Sequence, residues 1–188
     1  MTRRPSERGA RPSIGTSTYA AAVNGLAGPE QLRRLLEAVV SIGSELELSE
    51  ALRRIVQVAT DLVDARYGAL GVLDETATRL SEFITVGISD DEREEIGDLP
   101  QGHGVLGVLI VDPKPLRVAD VRTHPDSYGF PPHHPPMRSF LGTPILVRGE
   151  VFGNLYLCDK KGSDAFTDID EELVTALASA AGIAIENA

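Results

Sequence analysis

The chain shows no regular hydrophobic period until Pro29. Residues 1–28 are rich in Arg, Ser, Gly, Pro and Ala, with one short apolar patch near Tyr19 to Val23, a composition that buries too little surface to order itself. The pattern therefore predicts a disordered tail over 1–28 and one folded domain over 29–188. After Pro29, residues Leu32, Leu35, Leu36, Val39 and Ile42 recur at spacings of three and four, which predicts a helix weakened at its end by Gly43 and Ser44. Ser49 is the expected N-cap of a second helix, ending near Asp64, in which Leu52, Ile55, Val56, Ala59, Leu62 and Val63 share a face.

Beyond Asp64 the apolar runs shorten. Tyr67 to Leu73 and Leu80 to Val86, on either side of a polar turn, predict a β-hairpin. Ser89 is placed to cap a short acidic helix through Ile96, and its DDEREE run at 90–95 reads as a solvated helix face. Val105 to Val111 predicts a short helix, and Leu116 to Val118 a small strand. Residues 122–138, RTHPDSYGFPPHHPPMR, hold five prolines and three histidines, which excludes regular secondary structure and predicts a long loop. Phe140 to Val147 and Val151 to Cys158 predict a second hairpin with Gly149 at its turn. Thr167 and Asp170 form the capping box of a last helix, whose apolar face carries Leu173, Val174, Leu177, Ala180, Ala181, Ala184 and Ile185. This order predicts an α+β fold, an antiparallel sheet with its helices gathered on one side.

Composition narrows the function. Among 188 residues, 18 Lys and Arg face 28 Asp and Glu, a net charge of -10 that opposes a nucleic-acid partner. The single Cys158 excludes an internal disulfide and any CxxC zinc site, and fits a reducing cytosol. No apolar run reaches the roughly 18–20 residues of a membrane span and no apolar export segment follows the basic start, so a cytoplasmic chain with no membrane partner is expected. No GxGxxG follows a strand and there is no P-loop, GxSxG or HExxH, so the chain is expected to catalyse nothing by itself.

The candidate chemistry sits in the loop and the last strand. Of His103, His124, His133 and His134, the last three lie in the proline-rich loop, where a stiff backbone aims a ligand at low entropic cost. His134 precedes Pro135-Pro136, which bias it to extended backbone. The same pattern also fits a solvent-exposed turn whose histidines bind nothing. Tyr156, between Leu155 and Leu157, points to the face opposite both; a buried phenol needs a polar partner, and a core tyrosine bonded to backbone is the plain alternative. Cys158 stands beside Asp159, which raises rather than lowers a thiol pKa, and reads as a buried strand cysteine.

From about Glu30 onward the chain resembles a GAF domain, the small-molecule and tetrapyrrole sensor module of signalling proteins. FGNLYLCDK, ending at Lys160, is generic to that family. Together with HPPMR, LGTPI, RYGALGVLD and DPKPLRVADV, it resembles more narrowly the first GAF domain of actinobacterial DevS/DosT-type haem sensor kinases. The resemblance implies a loop-rich ligand pocket on the sheet face opposite the N- and C-terminal helices, holding one haem b. It implies His134 as the proximal iron ligand, with His124 or His133 as alternatives, and Tyr156 as the distal donor of a hydrogen bond to a bound gas. Gly71 falls where related domains carry a larger acidic side chain beside the haem edge, which implies a more open route to the iron. The implied role is the input module of a two-component histidine kinase that senses dioxygen, nitric oxide, carbon monoxide or iron redox state and signals to downstream GAF and kinase domains. A homodimer through the terminal helices is also implied. The chain stops at Glu186-Asn187-Ala188 without a C-cap, which predicts a longer parent. The alternatives are a GAF module that only dimerises, or one that binds a cyclic nucleotide. Free methionine sulfoxide reductases are GAF proteins too, but they work through several cysteines and this chain has one.

Overall fold

Alternation along two hairpins builds the sheet, and the amphipathic helices cover one side of it. The computed structural model describes Gly28, Arg34 and residues 47–74, 76, 80–97 and 104–188. The predicted tail, the helix expected over Leu32 to Ile42, and His103 lie outside the described residues.

Helix α1 (Leu48–Leu62) buries Leu52, Ile55, Val56 and Ala59 completely. It is not capped by Ser49. It starts two residues earlier, with Glu47 in extended backbone at the N-cap, and the Ser49 hydroxyl instead donates to Glu82 Oε1 at 2.9 Å, a tertiary partner that no local pattern specifies. Strands β1 (Ala65–Leu73) and β2 (Leu80–Val86) form the first hairpin. Helix α2 (Asp90–Ile96) opens on the expected Ser89 cap, which proves to be a full capping box: Ser89 Oγ accepts from the Glu92 amide at 3.2 Å while the Glu92 carboxylate accepts from the Ser89 amide at 2.8 Å. Helix α3 (Val105–Val111) and strand β3 (Leu116–Val118) follow, and a 3₁₀ turn (Val121–Thr123) is the only regular element of the proline-rich loop among the described residues. Strands β4 (Phe140–Val147) and β5 (Glu150–Lys160) are joined through Arg148 and Gly149, at φ 52° and 89°, the two left-handed residues that a tight hairpin turn requires. Helix α4 (Asp168–Glu186) completes the fold.

The five strands run in the order β2-β1-β5-β4-β3, each antiparallel to its neighbours, so the predicted α+β arrangement is what forms. On one face Leu70, Leu155 and Leu157 pack against α1 and against Leu173, Val174 and Leu177 of α4. Burying each such side chain contributes roughly 1.5–3 kcal/mol. On the other face a smaller cluster of Val105, Leu109, Val121, Met137, Phe140 and Cys158 lies under α3 and the loop.

Two polar junctions hold α4 to the sheet. Lys160 Nζ at the end of β5 donates to Val63 O and to Asp170 Oδ1, both at 3.0 Å, with the ammonium and the carboxylate largely buried. The same Asp170 accepts from the Thr167 amide in the α4 capping box, so one carboxylate joins sheet, cap and the end of α1. From the edge strand, Arg117 donates to Phe166 O and to the carboxylates of Glu171 and Asp168. No helix among the described residues is long and apolar enough to cross a membrane.

Candidate ligand cavity

Strand register creates space on the face away from the helices. Tyr156 stands between Ala69 of β1 and Gly142 of β4; the small Ala69 side chain leaves room above the sheet beside its ring, whereas Leu109 and Phe140 fill the space over Gly142. The result is a partly open cavity of about 260 Å³, floored by Tyr67, Ala69, Tyr156 and Cys158 and walled by β2, α2, α3 and the loop from Ser127 to Met137. A ligand larger than this space projects past the rim, where Tyr128 and Phe130 are exposed.

The loop that closes the cavity is fastened at its base. The Val121 amide donates to Arg138 O at 2.7 Å, and the Arg138 amide donates to Asp159 Oδ1 at 2.7 Å. Asp120 accepts from Arg122 Nε at 2.8 Å and lies 3.7 Å from Arg138 Nε; the hydrogen bonds from Arg122 hold its carboxyl down at about 2. Within the loop His133 is left-handed, at φ 65°, an uncommon conformation for a residue with a side chain. It turns the chain so that His134, not His133, faces inward: His133 is exposed, and His134 is half-buried and lines the cavity.

The His134 ring is held on two sides. Phe130 stacks on it with centroids 4.7 Å apart and planes 12° from parallel. Its Nδ1 lies 2.8 Å from Pro135 O. A carbonyl only accepts, so Nδ1 carries the proton and Nε2 keeps a free lone pair. His124 takes neither role, because its Nδ1 accepts from the Asp126 amide at 3.2 Å and it does not line the cavity. Of the three described loop histidines, then, only His134 reaches the cavity.

Tyr156 is half-buried with its ring 5.9 Å from that of Phe140, and among the described residues nothing hydrogen-bonds its hydroxyl. The alternative of a core tyrosine bonded to backbone is not what forms among the described residues, because the phenol faces the cavity. Burial pushes its pKa up, so the group stays a protonated donor. Burial, and then the Asp159 charge, push the Cys158 thiol up in the same way, as its neighbour predicts; such a thiol is a poor nucleophile. Gly71 shares the strand face of Tyr67 and Ala69 but does not line the cavity. A Cβ there would meet Leu80 Cδ2 at 2.8 Å and Asn154 Oδ1 at 3.6 Å, so Leu80 occupies the space over this glycine.

Phe130, Met137 and Arg93 are among the lining residues that escaped the sequence reading. Phe130 and Met137 lie in a loop without a period, where spacing carries no information about facing. Arg93 sits in a run read as a solvated face, yet it lines the cavity with its guanidinium carbon 5.7 Å from the Phe83 ring centroid. Its spacing of three from Ile96, which also lines the cavity, was the available signal. Among the described residues no three His, Cys, Asp or Glu side chains converge as a metal cluster.

The fold is similar to solved GAF domains of phosphoenolpyruvate-protein phosphotransferases. The domain from Coxiella burnetii is 23% identical at a TM-score of 0.72, covering 84% of this chain and 93% of that one. The domain from Acinetobacter is 23% identical at 0.73, covering 86% and 95%. The free methionine-R-sulfoxide reductase of Neisseria meningitidis, in complex with its substrate, is 18% identical at 0.68, covering 85% and 92%. At these identities the likeness is one of fold. The sequence profile of the GAF domain matches residues 45–186, about three quarters of the chain. The chain belongs to the GAF domain family, a family of signalling and sensor modules.

Proposed function

We propose that this GAF domain is a haem-based gas or redox sensor and the input module of a two-component histidine kinase. The observation that carries the reading is His134, which lines an apolar cavity with Nδ1 engaged by Pro135 O and Nε2 left free. That is the state of an imidazole that would hold a haem iron through Nε2, since a hydrogen bond at the other ring nitrogen fixes the tautomer and raises ligand basicity. The residues fit the group: an apolar cleft, one oriented imidazole and an unpartnered phenol. When bound, haem b supplies an iron that takes dioxygen, nitric oxide or carbon monoxide, or changes its redox state. Tyr156 offers one hydrogen-bond donor to a polar ligand in the cavity, and its high pKa keeps that proton in place. Gly71 enters as the position beside Leu80, where a larger acidic side chain would have to displace Leu80 before it narrowed the approach.

A route for the signal is supported by connectivity. The His134 loop is bonded through the Arg138 amide to Asp159, the neighbour of Lys160, and Lys160 holds Asp170 at the start of α4. Displacement of the loop thus bears on the junction that seats α4, from which downstream GAF and kinase domains, or a second copy, would receive the change.

The test is the visible spectrum of the purified protein after haem addition, oxidised, reduced and with carbon monoxide, beside His134→Ala. A one-to-one Soret band that shifts with carbon monoxide and is lost or altered in the variant is expected. A featureless or non-saturating spectrum overturns the haem reading and leaves a GAF module for another ligand, such as a cyclic nucleotide, or for dimerisation.

A further inference from the structure

Every charged residue of α2 except Arg93 is exposed, five carboxylates among them, as an acidic surface helix predicts. Arg93 instead shares the inward face with Ile96, a position where the helical pattern calls for an apolar side chain. Among the described residues that line the cavity it is the only Lys, Arg, Asp or Glu. No carboxylate of the described residues pairs with it, although the chain carries 28 acidic residues against 18 basic ones. Its stem and guanidinium lie along Phe83, which holds the group at the wall without neutralising it. A local rule broken in this way, with the charge left unpaired, marks a position kept for a ligand.

We propose that Arg93 is a carboxylate-binding residue of the cavity, so that the site selects a large, flat, mostly apolar ligand carrying an acidic group at its edge. The inference rests on the haem reading for its particular ligand, whose propionate carboxylates supply that group. Being only half-buried, Arg93 meets the carboxylate where the desolvation of both charges is partial, the condition under which a charge-assisted hydrogen bond adds affinity.

The experiment compares protoporphyrin IX with its dimethyl ester, which has the same ring and no free carboxylate, by titrating the full chain in one dilute-detergent buffer. Wild type, Arg93→Met and Arg93→Lys are used, with haemin spectra of wild type and His134→Ala recorded in parallel and thermal melts confirming that each variant is folded. Wild type is expected to prefer the free acid roughly tenfold, Arg93→Met to lose that preference, and Arg93→Lys to keep part of it. An undiminished preference in Arg93→Met overturns the proposal, and does so without touching the haem reading if the haemin band still depends on His134. An Arg93-dependent preference with no His134-dependent haemin band upholds the carboxylate site and overturns the haem reading. Porphyrins that fail to saturate in any form overturn both.

Discussion

The two faces of the sheet are made by the same strands and are built to opposite rules. On the helix side, Leu155 and Leu157 meet Leu52, Ile55, Leu173 and Leu177 in a core in which each of these side chains is at most 2% exposed. On the cavity side, the alternate residues of the same strand, Tyr156 and Cys158, line a cavity shared with the His134 imidazole and the Arg93 guanidinium, and among the described residues nothing bonds the Tyr156 hydroxyl. A close-packed apolar face specifies the fold and tolerates no polar group without a bond. The opposite face gives up packing and keeps polar groups free, which is the condition of a surface that waits for a ligand. The difference assigns stability to one side of β5 and recognition to the other.

The sharpest way to break this division is to shorten one residue on each side. Leu157→Ala should cost about 3–5 kcal/mol, because a fully buried leucine leaves a cavity that the helices cannot fill. Its neighbour Tyr156→Phe should change stability by no more than about 0.5 kcal/mol, since the lost hydroxyl has no partner. Chemical denaturation measures both, and similar losses would show that the faces are not distinct. The same Tyr156→Phe protein, loaded with haem, should lose about three- to tenfold in dioxygen affinity and little in carbon monoxide affinity, because carbon monoxide accepts hydrogen bonds poorly; equal losses would remove Tyr156 from the ligand contact.

The junction between the faces and α4 comes next in size. Lys160→Met leaves the Asp170 carboxylate largely buried without its cation and should cost about 3 kcal/mol. Adding Asp170→Asn, which removes the stranded charge, should recover part of that loss; no recovery would mean that the pair is not coupled.

The smallest effect is expected at the base of the loop. Asp120 titrates at about 2 in place of its ordinary 3.8, so the contribution of its bonds to Arg122 is complete above about pH 4 and is lost as pH falls from there toward 2. The protection of the Val121 amide, the slowing of its exchange relative to the unfolded chain at the same pH, should fall over that window and in Asp120→Asn at neutral pH, while protection in α1 stays unchanged. Lower protection in both places would mean that acid loosens the whole fold rather than the loop.

Most of the architecture is legible along the chain. The hairpins, the Ser89 cap, the Thr167 box and the apolar faces of α1 and α4 are local in origin, and they form where the pattern places them. Ser49 departs because its hydroxyl found Glu82, 33 residues away, instead of the amides of its own helix. The site was readable only in part. Tyr156 follows from strand alternation, whereas choosing His134 over His124 and His133 needed the left-handed turn at His133 and the Pro135 carbonyl.

Arg93 marks the boundary between the two kinds of information. Sequence by itself determined the elements, their order and the face each strand residue takes, because backbone geometry repeats every two or 3.6 residues and imposes those periods locally. Only the tertiary structure decided which side chains share the cavity. Its walls come from the β1–β2 hairpin, α2, α3, the proline-rich loop and the β4–β5 hairpin, and strand register and loop closure set the distances between them.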